Sequence, residues 1–171
     1  VGFGAETGEQ YAIAIGKDSL ATGIGSIAIG TDTTASAEGA VSIGGNTTAS
    51  GDAAVALGGG TTASGAWSFA AGKNSNAVGG SSVAMGNGTD AYAATSFAVG
   101  SDSKTEGNSS IAIGEDAYSY GEASVSLGYS TLSYGKASFA ANEESFAAWD
   151  ADVALGKSVS GAVLATAISQ P

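Results

Sequence analysis

Ser82-Val83-Ala84-Met85-Gly86 is followed fourteen residues later by Ser96-Phe97-Ala98-Val99-Gly100, and again by Ser110-Ile111-Ala112-Ile113-Gly114. Working toward the N-terminus, the same phase holds Phe69-Ala70-Ala71-Gly72, Val55-Ala56-Leu57-Gly58, Val41-Ser42-Ile43-Gly44, Ile27-Ala28-Ile29-Gly30 and Ile13-Ala14-Ile15-Gly16. Toward the C-terminus it holds Val125-Ser126-Leu127-Gly128, Phe139-Ala140-Ala141-Asn142 and Val153-Ala154-Leu155-Gly156. Eleven copies occur with no insertion or deletion, and Val1-Gly2 is the tail of one more. After Gly156 the phase is lost, since Val163, Leu164 and Ile168 fall out of step. Residues 1–157 therefore form one repeat domain, and 158–171 a C-terminal cap or the start of a neck.

A fourteen-residue period is too short for helical hairpin repeats, which begin at roughly 33 residues. Tetrads rich in Ile, Val and Phe with strict alternation read as strand. Each period is then one coil of an all-β parallel solenoid, with two short strands and two turns.

Counting onward from the tetrad glycine exposes the second strand. Position three is mostly Ser or Thr (Ser19, Thr33, Thr47), position five is tiny (Ala21, Ala35, Ala49), and position seven is mainly Gly (Gly23, Gly51, Gly65). These share one face, because side chains alternate along a strand. Positions four and six point the other way and vary freely: Thr34 with Ser36, Lys104 with Glu106, Tyr118 with Tyr120. Positions one and two, such as Lys17-Asp18, Gly45-Asn46 and Ser101-Asp102, suit left-handed turns.

The tetrad strand also has one tiny face: Ser26, Ala40 and Ser82 before the tetrad, then Ala or Ser at its centre, then Gly. Two tiny faces meet across a roll thinner than the ~10 Å of ordinary sheet stacking. The large side chains must then point outward in two columns. One holds Ile13, Ile27, Val41, Val55, Phe69, Val83, Phe97, Ile111, Val125, Phe139 and Val153. The other holds Ile15, Ile29, Ile43, Leu57, Ala71, Met85, Val99, Ile113, Leu127, Ala141 and Leu155. Such a wall exceeds what a soluble monomer exposes. It predicts self-association with both columns at the shared axis. Phe69 beside Ala71 and Phe139 beside Ala141 keep the volume per layer constant, as close packing requires. The competing arrangement puts the large residues inside and solvates the Ala/Ser faces.

Composition closes other routes. The 171 residues hold 28 glycines, no Cys, no His and no Arg, and five lysines stand against 16 carboxylates for a net charge of −11. A disulfide framework is impossible and His-dependent catalysis is excluded. An acidic chain without Arg is a poor partner for nucleic acid. No stretch is long and apolar enough for a membrane-spanning helix. The carboxylates scatter over turns and outer faces, so no acid–base pair stands out and the chain does not read as an enzyme or as needing a cofactor. Asp18, Asp32 and Asn46, and Asp102 with Asp116, stack in columns that could hold Ca²⁺, but without the nonapeptide register of calcium β-rolls they read as solvated turns, and no metal site is assigned. Thr34, Thr48 and Thr62 with Ser36, Ser50 and Ser64 make a hydroxyl ladder that could template ice, though β-propensity on a solvated face explains it.

The fourteen-residue register Ser-(Ile/Val/Phe)-Ala-(Ile/Leu/Met)-Gly-x-x-(Ser/Thr)-x-Ala-x-Gly resembles the head of trimeric autotransporter adhesins, the YadA-like left-handed parallel β-roll. The resemblance covers roughly residues 1–157. It implies a homotrimer on a bacterial outer membrane, carried by a stalk and a membrane anchor that lie outside this fragment. It also implies attachment to host cells or to matrix proteins such as collagen, fibronectin or laminin, and cell–cell autoaggregation. The family's collagen-associated motif has Asn directly before the Ser; here that place holds Gly25, Gly39, Ala53, Trp67, Ser81, Thr95 and Ser109, which argues against collagen. Asn142 for a tetrad glycine, with Trp149 and Asp152 at small positions, predicts irregularity near the end of the roll.

One outward stretch stands out as a candidate ligand-binding patch. Parallel stacking puts equal positions of adjacent coils about 4.8 Å apart. Tyr118, Tyr120, Leu132, Tyr134 and Phe146 then form one patch, with Tyr92 two coils away. A structural spacer for a more distal binding domain, or a phage or particle fibre, would use the same fold.

Overall fold

The structure, a computed structural model, describes residues 2–158. The proposed cap therefore lies almost wholly outside the described residues. The chain winds through two parallel sheets of eleven strands each, odd strands in one and even strands in the other. The tetrad sheet is built from longer strands, most of five residues as in Val83–Asn87. The other sheet is built from two-residue strands such as Tyr118–Ser119. Pairing keeps the fourteen-residue step throughout: Phe69 meets Val83 and Val83 meets Phe97, while Asn76 meets Asp90 and Asp90 meets Lys104.

The interior is the tiny-residue arrangement. Ala21, Ala28, Ala35, Ala84 and Ala112 are fully buried, as are Ser19, Thr33, Thr47 and Ser126. The largest fully buried side chain is a threonine. The alternative with bulky residues inside is thereby overturned: a coil of this length brings its two sheets too close for anything larger than Thr. Some buried hydroxyls find partners across the roll, while others, such as Ser26, Thr33 and Ser110, have none. Ser42 and Thr47 share a 2.8 Å hydrogen bond, Thr105 Oγ1 donates to Ser96 Oγ at 2.9 Å, and Ser126 Oγ donates to the Tyr118 carbonyl at 2.7 Å.

The turns are laddered as tightly as the strands. The amide of Asp32 donates to Lys17 O, and that of Asn46 to Thr31 O, one coil back. The first turn places its second residue in the left-handed region, with φ of 50–54° at Asp18, Asp32, Asn46, Asn74, Asp102 and Asp116. The second turn does the same just before each tetrad Ser or Ala, at Ala53, Trp67, Ser81, Thr95, Ser109, Ala123 and Ala137, with φ of 52–57°. The tetrad glycine is required on two counts. At Gly86 φ is 141°, and a Cβ there would sit 1.8 Å from the Gly100 carbonyl oxygen.

The irregularity expected near the end is local. Asn142 takes φ 86° and the strand shortens to Phe139–Ala141. Pairing with Val153–Leu155 nevertheless keeps its register. Trp149 turns its ring to solvent, and Asp152 enters the core, where Oδ2 accepts the Ala148 amide at 3.0 Å.

Candidate functional site: two outward faces

The tetrad face carries both aliphatic columns in register. Ile27, Val41, Val55, Phe69 and Val83 follow one another, as do Ile29, Ile43, Leu57, Ala71 and Met85. Each side chain packs along its column but stays open on its outer side. Ile13, Ile15, Ile43, Met85, Phe97, Ile113, Val153 and Leu155 remain exposed, and the rest are half-buried. The structure thus makes the wall continuous and leaves it uncovered on the single chain.

The short-strand face carries the aromatic group. The Tyr120 and Tyr134 rings lie one coil apart, with centroids 4.7 Å apart and planes 11° apart. That is the coil spacing, so the two rings stack along the roll axis. Phe146 meets Tyr134 edge-on at 5.9 Å, and Tyr118 lies 6.4 Å from Tyr120, tilted by 38°. Leu132 pairs in register between Tyr118 and Phe146. Tyr92 makes no ring contact with this group. It is bridged to it by Lys104, whose Nζ sits 5.2 Å from the Tyr92 ring centroid and pairs with Glu106.

Polar partners fix these rings. Tyr92 Oη donates to Asp90 Oδ2 at 3.2 Å, and Asp90 Oδ1 accepts Asn76 Nδ2 at 2.7 Å. Tyr118 Oη donates to Asp116 Oδ1 at 3.4 Å. Partial burial, and then the Asp90 carboxylate beside it, raise the Tyr92 hydroxyl pKa. Burial followed by Asp116 does the same for Tyr118. The hydrogen bond to Glu106 raises the Lys104 ammonium. Sequence reading selected the aromatic rings but not Asp90, Lys104, Glu106 and Asp116. The fourteen-residue register was enough to find them, because it places Lys104 directly between Asp90 and Tyr118.

Further along the same face, Thr34, Thr48 and Thr62 pair in register as a hydroxyl ladder that ends at Asn76. Among the described residues no group of three or more His, Cys, Asp or Glu side chains is arranged to hold a metal ion. The turn aspartates instead occupy the left-handed positions.

A parallel solenoid with an interior of small residues and two continuous outward faces is a repeat protein whose function lies in its surfaces. The YadA head domain repeat (2 copies) matches residues 8–33, 21–47, 35–61, 49–75, 77–103, 91–117 and 106–131. These stretches cover most of the chain, and the chain belongs to that family of repeats. No curated protein matches it.

Proposed function

We propose that this chain is the adhesive head of a bacterial cell-surface protein of the trimeric autotransporter kind, acting without catalysis and without a cofactor. Three copies cover one another's aliphatic walls, and the aromatic patch of Tyr118, Tyr120, Leu132, Tyr134 and Phe146, with Tyr92 beyond it, engages a host matrix protein or cell-surface receptor.

The observation that carries this reading is the uncovered wall. At ~1.5–3 kcal/mol per fully buried aliphatic side chain, covering about twenty of them is worth tens of kcal/mol gross, an upper bound because most of them are already half-buried on the single chain. Three identical patches, and many heads per cell, turn weak contacts into avidity. A spacer role is favoured by one feature, the plain Thr/Ser ladder on part of the outer face, which offers little to a ligand. Retention of the assembled head on immobilised matrix proteins and on cultured cells separates the two. The head is retained if it is the adhesin, and Tyr120→Ala with Tyr134→Ala abolishes retention while leaving assembly intact. Unchanged retention of the double variant removes the patch from the reading.

A further inference from the structure

Resting on the reading that the aromatic face binds a partner, we propose that the partner presents a basic, extended polypeptide segment, with Lys or Arg side chains seated between tyrosine rings and unpaired carboxylates.

Ring geometry comes first. The facing sides of Tyr120 and Tyr134 are spent on each other, and Phe146 closes against Tyr134. Rings stacked along the axis turn their edges, and not their faces, to solvent. A neutral sugar that binds by laying its C–H face on an aromatic face finds little open platform here. An extended chain fits better. From Tyr92 to Phe146 is four coil steps, about 19 Å at ~4.8 Å each, which is the reach of roughly six residues of strand.

Charge comes second. The turn beside the patch carries Glu115 and Asp116, and one coil pair further on Glu144; the opposite turn carries Asp150. Among the described residues no lysine forms an ion pair with any of these four, though Asp150 lies near enough to Lys136 to help raise its pKa. Asp116 accepts only a long bond from Tyr118, Glu144 a bond from Ser158, and Asp150 one from the Lys136 amide. An apolar strip with this rim repels sulfated or phosphorylated ligands and favours cations.

Third, the face already holds a cation of its own. Lys104 sits over the Tyr92 ring with its ammonium paired to Glu106. Ring plus carboxylate is the seat that cation–π attraction and ion pairing together prefer. One coil on, Tyr118 takes the place of Lys104 in the register, and Asp116 beside it has no ammonium in ion-pair range among the described residues. A partner's Lys or Arg supplies it.

The test measures fluorescence anisotropy of a labelled peptide of alternating Arg and Val on the full assembled chain, against an equal-length peptide of alternating Gln and Val. The Arg peptide binds, the Gln peptide does not, and raised salt weakens the complex. Glu115→Gln with Asp116→Asn weakens it about fivefold to tenfold, and Tyr120→Ala with Tyr134→Ala abolishes it. Equal binding of the two peptides, no binding of either, or displacement of the Arg peptide by a neutral oligosaccharide overturns the inference. Running the same variants in the retention assay separates the two levels. If the tyrosine pair abolishes retention and the carboxylate pair leaves it unchanged, the aromatic site stands and the basic partner falls. If neither pair changes retention, both fall.

Discussion

Two outward faces share one hydrogen-bonded backbone and follow different side-chain rules. On the tetrad face every coil from Ile13 to Leu155 presents aliphatic or aromatic bulk, balanced by Ala at Phe69 with Ala71 and Phe139 with Ala141, though Phe97 stands with Val99. On the short-strand face the same step of the repeat runs Leu20, Thr34, Thr48, Thr62, Asn76, Asp90, Lys104, Tyr118, Leu132 and Phe146. The interior beneath both is the same stack of Ala, Ser and Thr. The contrast teaches that the fold itself asks nothing of the outer positions. The backbone ladder and the tiny core hold the roll, so uniformity on one face needs an external reason and variety on the other is free to serve binding.

The sharpest way to break the contrast is a charge on each face. Ile113→Asp, placed in the wall, loses assembly in sedimentation velocity, because an unpaired buried carboxylate costs several kcal/mol, of order ~3–5. Thr48→Asp, on the other face, changes stability by less than about 0.5 kcal/mol. Identical behaviour of the two variants would erase the distinction between the faces. A folded, solitary chain at micromolar concentration would do the same.

Removing both stacked rings is the next largest effect. Tyr120→Ala with Tyr134→Ala costs about 1 kcal/mol of ring–ring contact, beyond lost area, by thermal unfolding, while sedimentation is unchanged. A change in sedimentation would mean that the aromatic face also contributes to assembly.

The corner between the faces offers a gain. Ala137 sits at φ 54°, in the left-handed region. Ala137→Gly removes a cost of ~1–2 kcal/mol, partly offset by the greater freedom of unfolded glycine, and so raises the melting temperature. A lower melting temperature would show that the methyl group packs against something in the assembly.

Alkali acts on the patterned face and on Lys136 at a corner, whose ammonium pKa is raised by its hydrogen bond to Glu122. The folded pKa values of Tyr92, Tyr118 and Lys104 all lie above their ordinary values of 10.0 for tyrosine and 10.5 for lysine. A raised folded pKa means stability that is complete below the unfolded value and lost as pH rises through the folded one. The absorbance of Tyr92 and Tyr118 should therefore titrate late, and the patch should loosen above about pH 10 while any association through the uncharged wall persists. The smallest effect belongs to the interior: Ser110 Oγ is buried without a hydrogen-bond partner. Ser110→Ala leaves stability within about 0.5 kcal/mol of the parent, because no bond is lost.

Much of this was legible before any coordinates. The unbroken phase from Ile13 to Leu155 gave the coils, and the alternation of tiny with bulky residues gave the inside and the outside. Asp18, Asp32 and Asn46 announced the first left-handed turn, since their short polar side chains tolerate it. The second such turn was signalled only by Gly25 and Gly39, with φ of 66° and 64°. Ala53, Ser81 and Trp67 have no preference for positive φ, so nothing in those residue types signals it. The Asn of the family's collagen-associated motif, at this same place, would have signalled it. The aromatic group was legible because stacking distance follows from register. Its polar collar was missed because Asp90, Lys104 and Glu106 look like ordinary solvated charges until the coils are stacked. Asp152 was flagged as a fault in the roll; the core absorbs it because one carboxylate oxygen captures a neighbouring amide.

The laddered turns have a genetic corollary. Because each corner bonds within itself and to the corners one coil away, a chain lengthened or shortened by whole coils has the same joints everywhere. Recombination between repeats can therefore slide the aromatic strip toward either end of the roll in increments of about 4.8 Å, whereas a slip of a single codon flips every downstream side chain to the wrong side. Such a gene can reposition the strip without redesigning it.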